Sequence, residues 1–198
     1  MYFERRIKLS EFNDINNEEI TEETSAPKKT LGREILEWIL SIVIALIIAF
    51  TLRNYVVIFA RVDGESMLPT LHHNERLIVW RLGYEPENGD VVILDPPSGR
   101  GPYVKRIIAT EGQTLRIDNV TGDVFVDGEK IEEPYINNKT YSFQQEFVVP
   151  EGYTFVMGDN RQNSHDSRSQ DVGFIKNKSI YGEVVLRIWP LDMLGTVD

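Results

Sequence analysis

One block of the chain is almost wholly apolar, and the pattern after it alternates. Residues 38–52 read WILSIVIALIIAFTL, and after Arg53-Asn54 the apolar run resumes as YVVIFA over residues 55–60. A bilayer core of roughly 30 Å is crossed by about 20 mostly apolar helical residues. The block predicts a transmembrane helix over residues 35–59. Arg53 lies near enough to one end to reach the headgroups, and Trp38 and Tyr55 suit the two interfaces. A core helix of a soluble protein keeps one polar face, and this block has none. A cleaved export signal starts within the first residues and ends in a small-x-small site; this block starts late and lacks such a site.

Beyond residue 60 the spacing changes to short β-branched runs. Strands are predicted over residues 76–80, 90–94, 103–108, 114–117, 123–126, 153–157 and 182–188. Turn-forming groups punctuate them: Asn88-Gly89, Pro96-Pro97-Ser98-Gly99, Asp127-Gly128 and Pro150-Glu151-Gly152. No strand–helix alternation and no internal repeat is visible. The expected fold class is mainly β: an antiparallel β domain over residues 61–198, preceded by one N-terminal transmembrane helix.

Ahead of the helix, residues 1–33 form a polar tail. Its acidic centre, Glu18-Glu19-Ile20-Thr21-Glu22-Glu23, offers too little apolar surface to fold alone. Lys28, Lys29 and Arg33 precede the apolar block, whereas Arg53 and Arg61 beyond it are diluted by Asp63 and Glu65. The positive-inside rule then places the tail in the cytoplasm and residues 61–198 outside the cell membrane.

Charge narrows the range of partners. Residues 54–198 carry 14 Lys and Arg against 22 Asp and Glu, a net of −8. Nucleic-acid binding relies on clustered cations, so nucleic acid is set aside. The chain has no cysteine, which removes disulfides, thiolate metal sites and cysteine nucleophiles.

Three segments could carry chemistry. In Gly64-Glu65-Ser66-Met67-Leu68-Pro69-Thr70 a Gly and a Pro flank a Ser, as in a tight turn that presents a hydroxyl beside free backbone N–H groups. Most Gly-x-Ser turns are only turns. The serine needs a base. His72 and His73 are adjacent and point in different directions, and His165 sits in a polar loop that is a candidate for closeness to a site; loop histidines are the default for all three. Lysine can serve when burial makes it neutral. Lys105 stands within a strand, on the face of Tyr103 and Ile107; of an inward lysine and an outward one at a sheet edge, the residues alone favour the outward one. The third segment runs from Gly158 to Arg168. Its Asp159, Arg161, Asp166 and Arg168 can form charge-assisted pairs that fix a loop near a site.

Four stretches in order behind one apolar helix resemble the type I signal peptidases of bacteria: 64–70, Gly89-Asp90-Val91-Val92, Tyr103-Val104-Lys105-Arg106-Ile107-Ile108, and 158–168. The resemblance runs from the apolar block to near Pro190, in the compact form of Gram-positive bacteria. It implies a Ser–Lys serine endopeptidase with Ser66 as nucleophile and Lys105 as general base. Ser164 falls where the family places a hydroxyl that orients the lysine, and Asp159, Arg161, Asp166 and Arg168 match the supporting network. The Ser66 N–H is one oxyanion donor. Some members supply a second from a hydroxyl two residues earlier; here that residue is Gly64, so only its backbone can contribute. The implied substrates are pre-proteins carrying signal peptides, presented at the membrane lipid surface, with no cofactor and no metal. Two rivals are a soluble Ser–Lys autoprotease of the repressor type and an anchored β domain that only binds. The apolar block and the acidic charge oppose the first, and the intact Ser66 and Lys105 oppose the second.

Overall fold

The structure, a computed structural model, describes residues 31–99, 101–142 and 146–197, without the side chains of residues 53 and 54. The tail read over residues 1–33 therefore lies outside the described residues as far as residue 30. The chain divides into two units, Met1–Leu46 and Ile47–Asp198.

Helix α1 spans Leu31–Thr51, with no buried residue and a mean hydropathy of 2.2 over its apolar window. At about 1.5 Å per residue it is ~31 Å long, so its length and composition suffice to cross a membrane. Its two hydroxyls do not leave polar groups unmet. Ser41 donates to the Glu37 carbonyl and Thr51 to that of Ile47, both at 2.8 Å. The expected helix of 35–59 ends sooner. A π-helical turn occupies Leu52–Val56, and Val57–Arg61 is a strand. Val56-Val57-Ile58 is β-branched and Arg76–Trp80 lies alongside to pair with it, so tertiary pairing overrides a hydropathy pattern that cannot tell buried strand from helix.

After the helical residues at its start, the second unit is built on antiparallel β-sheets. In chain order the strands are β1 (Val57–Arg61), β2 (Arg76–Trp80), β3 (Val91–Leu94), β4 (Tyr103–Ala109), β5 (Thr114–Ile117), β6 (Val124–Val126), β7 (Glu129–Lys130), β8 (Glu146–Val148), β9 (Tyr153–Met157), β10 (Ile175–Lys176) and β11 (Ile180–Trp189). All seven predicted strands are present. The unpredicted β7, β8 and β10 are two or three residues long, too short for an alternating pattern. The large sheet has the order β1-β2-β11-β3-β4-β9-β10, and a small sheet has the order β7-β6-β5-β8.

Side-chain alternation along β3 explains how the large sheet is covered. Val91 and Ile93 enter one apolar cluster with Met67, Leu71, Leu77 and Val79. Val92 and Leu94 enter another with Ile107, Val156 and Ile175. A third cluster fills the small sheet around Leu115, Val124 and Phe155. The long β11 carries register shifts against both neighbours, at Ile180/Gly182, Val184/Leu186 and Arg187/Trp189. Such bulges bend and twist a strand. Three strands separate β1 from β4, a distance of about 19 Å in a flat sheet. Both nevertheless line one cleft, so the sheet curls to bring them face to face.

Candidate active site

The cleft has a volume of about 1470 Å³. One wall is β1 and the residues after it, as far as Met67; the other is Pro102 to Lys105 with Gln162 to His165. Ser66 stands on the turn that follows β1. Gly64 opens this turn with φ +97°, a conformation that L side chains rarely adopt. Met67 and Leu71, both buried, anchor the turn in the core, and the Leu71 N–H donates to the Met67 carbonyl at 2.9 Å. From the opposite side Asn160 grips the turn twice. Its backbone N–H donates to the Ser66 carbonyl and its side-chain amide to the Glu65 carbonyl, each at 3.0 Å. Among the described residues the Ser66 N–H has no hydrogen-bond acceptor.

Lys105 lies in the middle of the large sheet, paired across β3 to Val92, and is 3% exposed. The outward orientation that the residues alone favour is not the one adopted: β4 is an internal strand, and Lys105 points inward. Its Nζ is 2.7 Å from Ser66 Oγ and donates to the Val104 carbonyl at 2.8 Å. The Tyr103 ring sits 5.1 Å from Nζ. Burial pushes the ammonium down from its ordinary value near 10.5 to about 8. The carboxylates of Asp166 and Asp159 oppose that fall, and the Arg168 charge adds slightly to it.

The loop after β9 supplies the surrounding polar framework. Asp166 is buried, which alone would raise its pKa. Two hydrogen bonds from Arg168, both 2.8 Å, the charge of that arginine and the Gly158 N–H together outweigh burial and hold its carboxyl below the usual range. The Ser164 hydroxyl is shielded from solvent and makes no hydrogen bond to Lys105. It lies close enough to Asp166 to favour the ionised carboxylate without meeting hydrogen-bond geometry.

The four charges of this loop do not all pair with one another. Only Asp166 and Arg168 do. Asp159 turns to β4, accepting from Arg106 Nε at 3.0 Å and Nη2 at 2.9 Å, and from Thr70 Oγ1 at 2.5 Å. Arg161 reaches Glu133 and Thr140, both with Nη1, in the connection between β7 and β8. Arg106, Glu133, Asn160 and Thr70 are thus members of the site that sequence reasoning missed. Arg106 carried a signal: two consecutive cations inside an apolar strand cannot both reach solvent when both sheet faces are covered.

The histidines divide as their adjacency implied. His72 Nδ1 faces Glu75 at 3.4 Å. His73 lines the cleft, and its Nδ1 accepts the Gly64 N–H at 3.1 Å. His165 also lines the cleft, with Nε2 3.0 Å from Asp171 and its ring edge-on to Tyr103. Only His73 is unexpected there, since the polar loop of His165 is a candidate for closeness to a site. Among the described residues no group of three His, Asp or Glu side chains is arranged to hold a metal ion.

Comparison with known proteins matches the chain to one family. The model of "Signal peptidase, peptidase S26" matches residues 35–189. "Signal peptidase I" of Bacillus licheniformis is 35% identical over 90% of this chain and 100% of its own length. "Signal peptidase I S" of Bacillus subtilis is 38% identical over 81% of this chain and 92% of its own. "Signal peptidase IB" of Staphylococcus aureus is 36% identical over the same shares. A crystal structure of a signal peptidase I from Enterococcus faecalis aligns with 51% of this chain and 97% of its own, at 28% identity and a TM-score of 0.43. The chain belongs to the signal peptidase family, peptidase S26.

Proposed function

We propose that this protein is a membrane-anchored serine endopeptidase that removes signal peptides from exported pre-proteins, with Ser66 as nucleophile and Lys105 as general base. The observation that carries the reading is a buried lysine amine 2.7 Å from a serine hydroxyl on an open cleft. At pH 7 a lysine of pKa about 8 is neutral in roughly one molecule in ten. An ordinary lysine is neutral in roughly three in ten thousand. Burial therefore raises the concentration of the competent base about 300-fold.

In the reaction neutral Nζ takes the Ser66 proton as Oγ bonds to the scissile carbonyl carbon. The Ser66 N–H, lacking an acceptor of its own, donates to the oxyanion. The Val104 carbonyl holds one Nζ–H and so keeps the amine beside the serine hydroxyl. The ammonium then passes its proton to the leaving amine, and water activated by the same amine hydrolyses the acyl-enzyme. Asp166 and Asp159 keep the amine basic enough to accept the first proton. Arg168, Arg106 and Arg161 neutralise the buried carboxylates of the framework.

An extended peptide fits between the β1 wall and the β4 wall, where backbone pairing and alternate side-chain pockets read it. Helix α1 anchors the enzyme, with the tail in the cytoplasm and residues 61–198 on the far side. Anchoring raises the effective concentration of enzyme near a membrane-embedded substrate.

The test is cleavage of a purified pre-protein by the detergent-solubilised full chain across pH. The new N-terminus falls after a small-x-small sequence. Because kcat/KM reports the free enzyme, it rises up to tenfold per pH unit over the unit or so below its plateau near pH 8, as neutral lysine accumulates. A limb that levels off near pH 6 with no change at 8 excludes Lys105 as the base.

Gly158→Ala checks the packing of the pair. A Cβ on Gly158 lies 2.3 Å from both the Ser66 carbonyl oxygen and Ser164 Oγ. The first of these is backbone, so the nucleophile turn must move. Displacement by ångströms at the reacting atoms costs on the order of 10²-fold in kcat, with KM little changed. Wild-type kcat in Gly158→Ala contradicts this arrangement.

A further inference from the structure

We propose that His73 is a positioning residue for the nucleophile: its neutral imidazole holds the Gly64 amide and so fixes the turn that presents Ser66 to Lys105. The inference rests on the Ser–Lys reading above.

Nothing steric fixes Gly64. It lies at φ +97°, and a Cβ built on it would meet no atom within 4 Å. A residue so free must be held by hydrogen bonds or not at all. Downstream, Asn160 supplies two such bonds, to the Glu65 and Ser66 carbonyls. Upstream, the chain after β1 pairs with the segment before β2. The Val62 N–H donates to the Glu75 carbonyl and the Asn74 N–H to the Val62 carbonyl, both at 2.9 Å. Arg61 reinforces the pairing by donating to Asn74 Oδ1. This ladder stops at Val62. The Gly64 N–H then donates to His73 Nδ1 at 3.1 Å, so a side chain continues a ladder the backbone has left.

The choice of histidine has a chemical consequence. Nδ1 accepts a hydrogen bond only in the neutral ring, with its proton on Nε2. Protonation turns Nδ1 into a donor, and the Gly64 N–H then faces another N–H. The acceptor for the new donor is already in place: Asp63 Oδ1 lies 3.4 Å from Nδ1. Both side chains are solvent-accessible, so exchange needs no opening of the core. The charged groups around His73 are Asp63 at the strand end and Glu65 on the turn. Arg61 is held by Asn74, and His72 and Glu75 face each other. Lys105 and His165 line the same cleft. Proton uptake by His73 thus breaks the upstream tether of the Ser66 turn, separately from proton uptake by Lys105.

The experiment measures kcat and KM for pre-protein cleavage by the detergent-solubilised full chain from about pH 5 to 9, with thermal unfolding recorded for each variant. His73→Leu has no acceptor; His73→Asn keeps one near the Nδ1 position and does not titrate. His73→Leu lowers kcat about 10–100-fold, with KM within about twofold of wild type. His73→Asn recovers kcat to within about fivefold. In wild type the acid limb steepens from a one-proton to a two-proton slope at its lower end, and in His73→Asn it keeps the one-proton slope. Wild-type kcat in His73→Leu overturns the proposal. So does a loss confined to KM, or a His73→Asn enzyme as slow as His73→Leu when both unfold at the wild-type temperature. If His73→Leu does not fold, the slope in His73→Asn decides, and a persisting two-proton limb overturns the proposal. Ser66→Ala runs alongside: activity there removes the Ser–Lys reading itself, whatever the His73 variants do.

Discussion

Lys105→Met lowers pre-protein cleavage by at least about 10³-fold, yet leaves the protein as stable as wild type or more so below about pH 8. The loss of activity follows from geometry. General base and acid assistance contributes about 10²–10⁴-fold, and in the proposed reaction one amine serves both steps. Methionine fills much the same volume without a basic amine. Ser66→Ala falls by a similar factor through the other member of the pair. Because the two act as a unit, the double variant is hardly worse than either single one. Steady-state cleavage by the three variants checks this, and more than about a tenth of wild-type activity in Lys105→Met refutes the assignment.

The stability half has a definite sign. The native lysine binds its proton near pH 8, the unfolded one near 10.5. Between those values the unfolded chain holds a proton that the native chain lacks, so wild-type stability rises with pH across that window. Below it the cost of burying the ammonium is present in full, at most about 3 kcal/mol. Lys105→Met never meets that cost. Its advantage is greatest below pH 8 and fades as pH approaches 10.5. Chemical denaturation at several pH values reads it directly, and an advantage that grows with pH is the contrary result. A residue that destabilises the fold while enabling chemistry is a familiar trade at active sites.

The alternation of β-branched residues made the larger strands legible, because each packs one or both faces into an apolar cluster. The apolar block made the helix legible in kind but not in length. Val57–Phe59 is as apolar as α1, and only its pairing with Ile78–Trp80 makes it a strand. The turn at Ser66 could be read from the Gly and Pro that flank it, but not its chemistry, since most such turns are only turns. Lys105 could not be settled by its neighbours, since the burial of a strand residue depends on strand order, and β4 is internal only because β9 follows it in the sheet. The partners of the loop charges were hidden for the same reason. Asp159 and Arg106 are 53 residues apart, and Arg161 and Glu133 are 28 apart. Nothing local couples them. His73 was hidden differently: its role depends on which ring nitrogen meets the Gly64 amide, and no pattern of residue types encodes that.

Arg106→Met destabilises the second unit by about 3–5 kcal/mol without touching the reacting atoms. Arg106 is 3% exposed and the Asp159 side chain beside it 0%. The guanidinium meets the carboxylate through Nε and Nη2 and donates from Nη1 to the Gly89 carbonyl at 2.7 Å. It also stacks over the Tyr135 ring, 4.0 Å from the centroid. Removing it leaves a buried carboxylate with Thr70 as its remaining donor among these groups. An uncompensated buried charge is costly because neither water nor a counter-ion can reach it. For a chain of this size each kcal/mol moves the unfolding midpoint by about 2–4 °C, so a fall of at least roughly 6 °C is expected. Activity at low temperature survives better than stability, because Asp159 acts on Lys105 only through its field. The double variant Arg106→Met, Asp159→Leu recovers part of the loss, since an apolar pair needs no solvation. That recovery separates a desolvated charge from simple loss of packing, and a double variant no better than Arg106→Met excludes the ion pair as the origin of the effect.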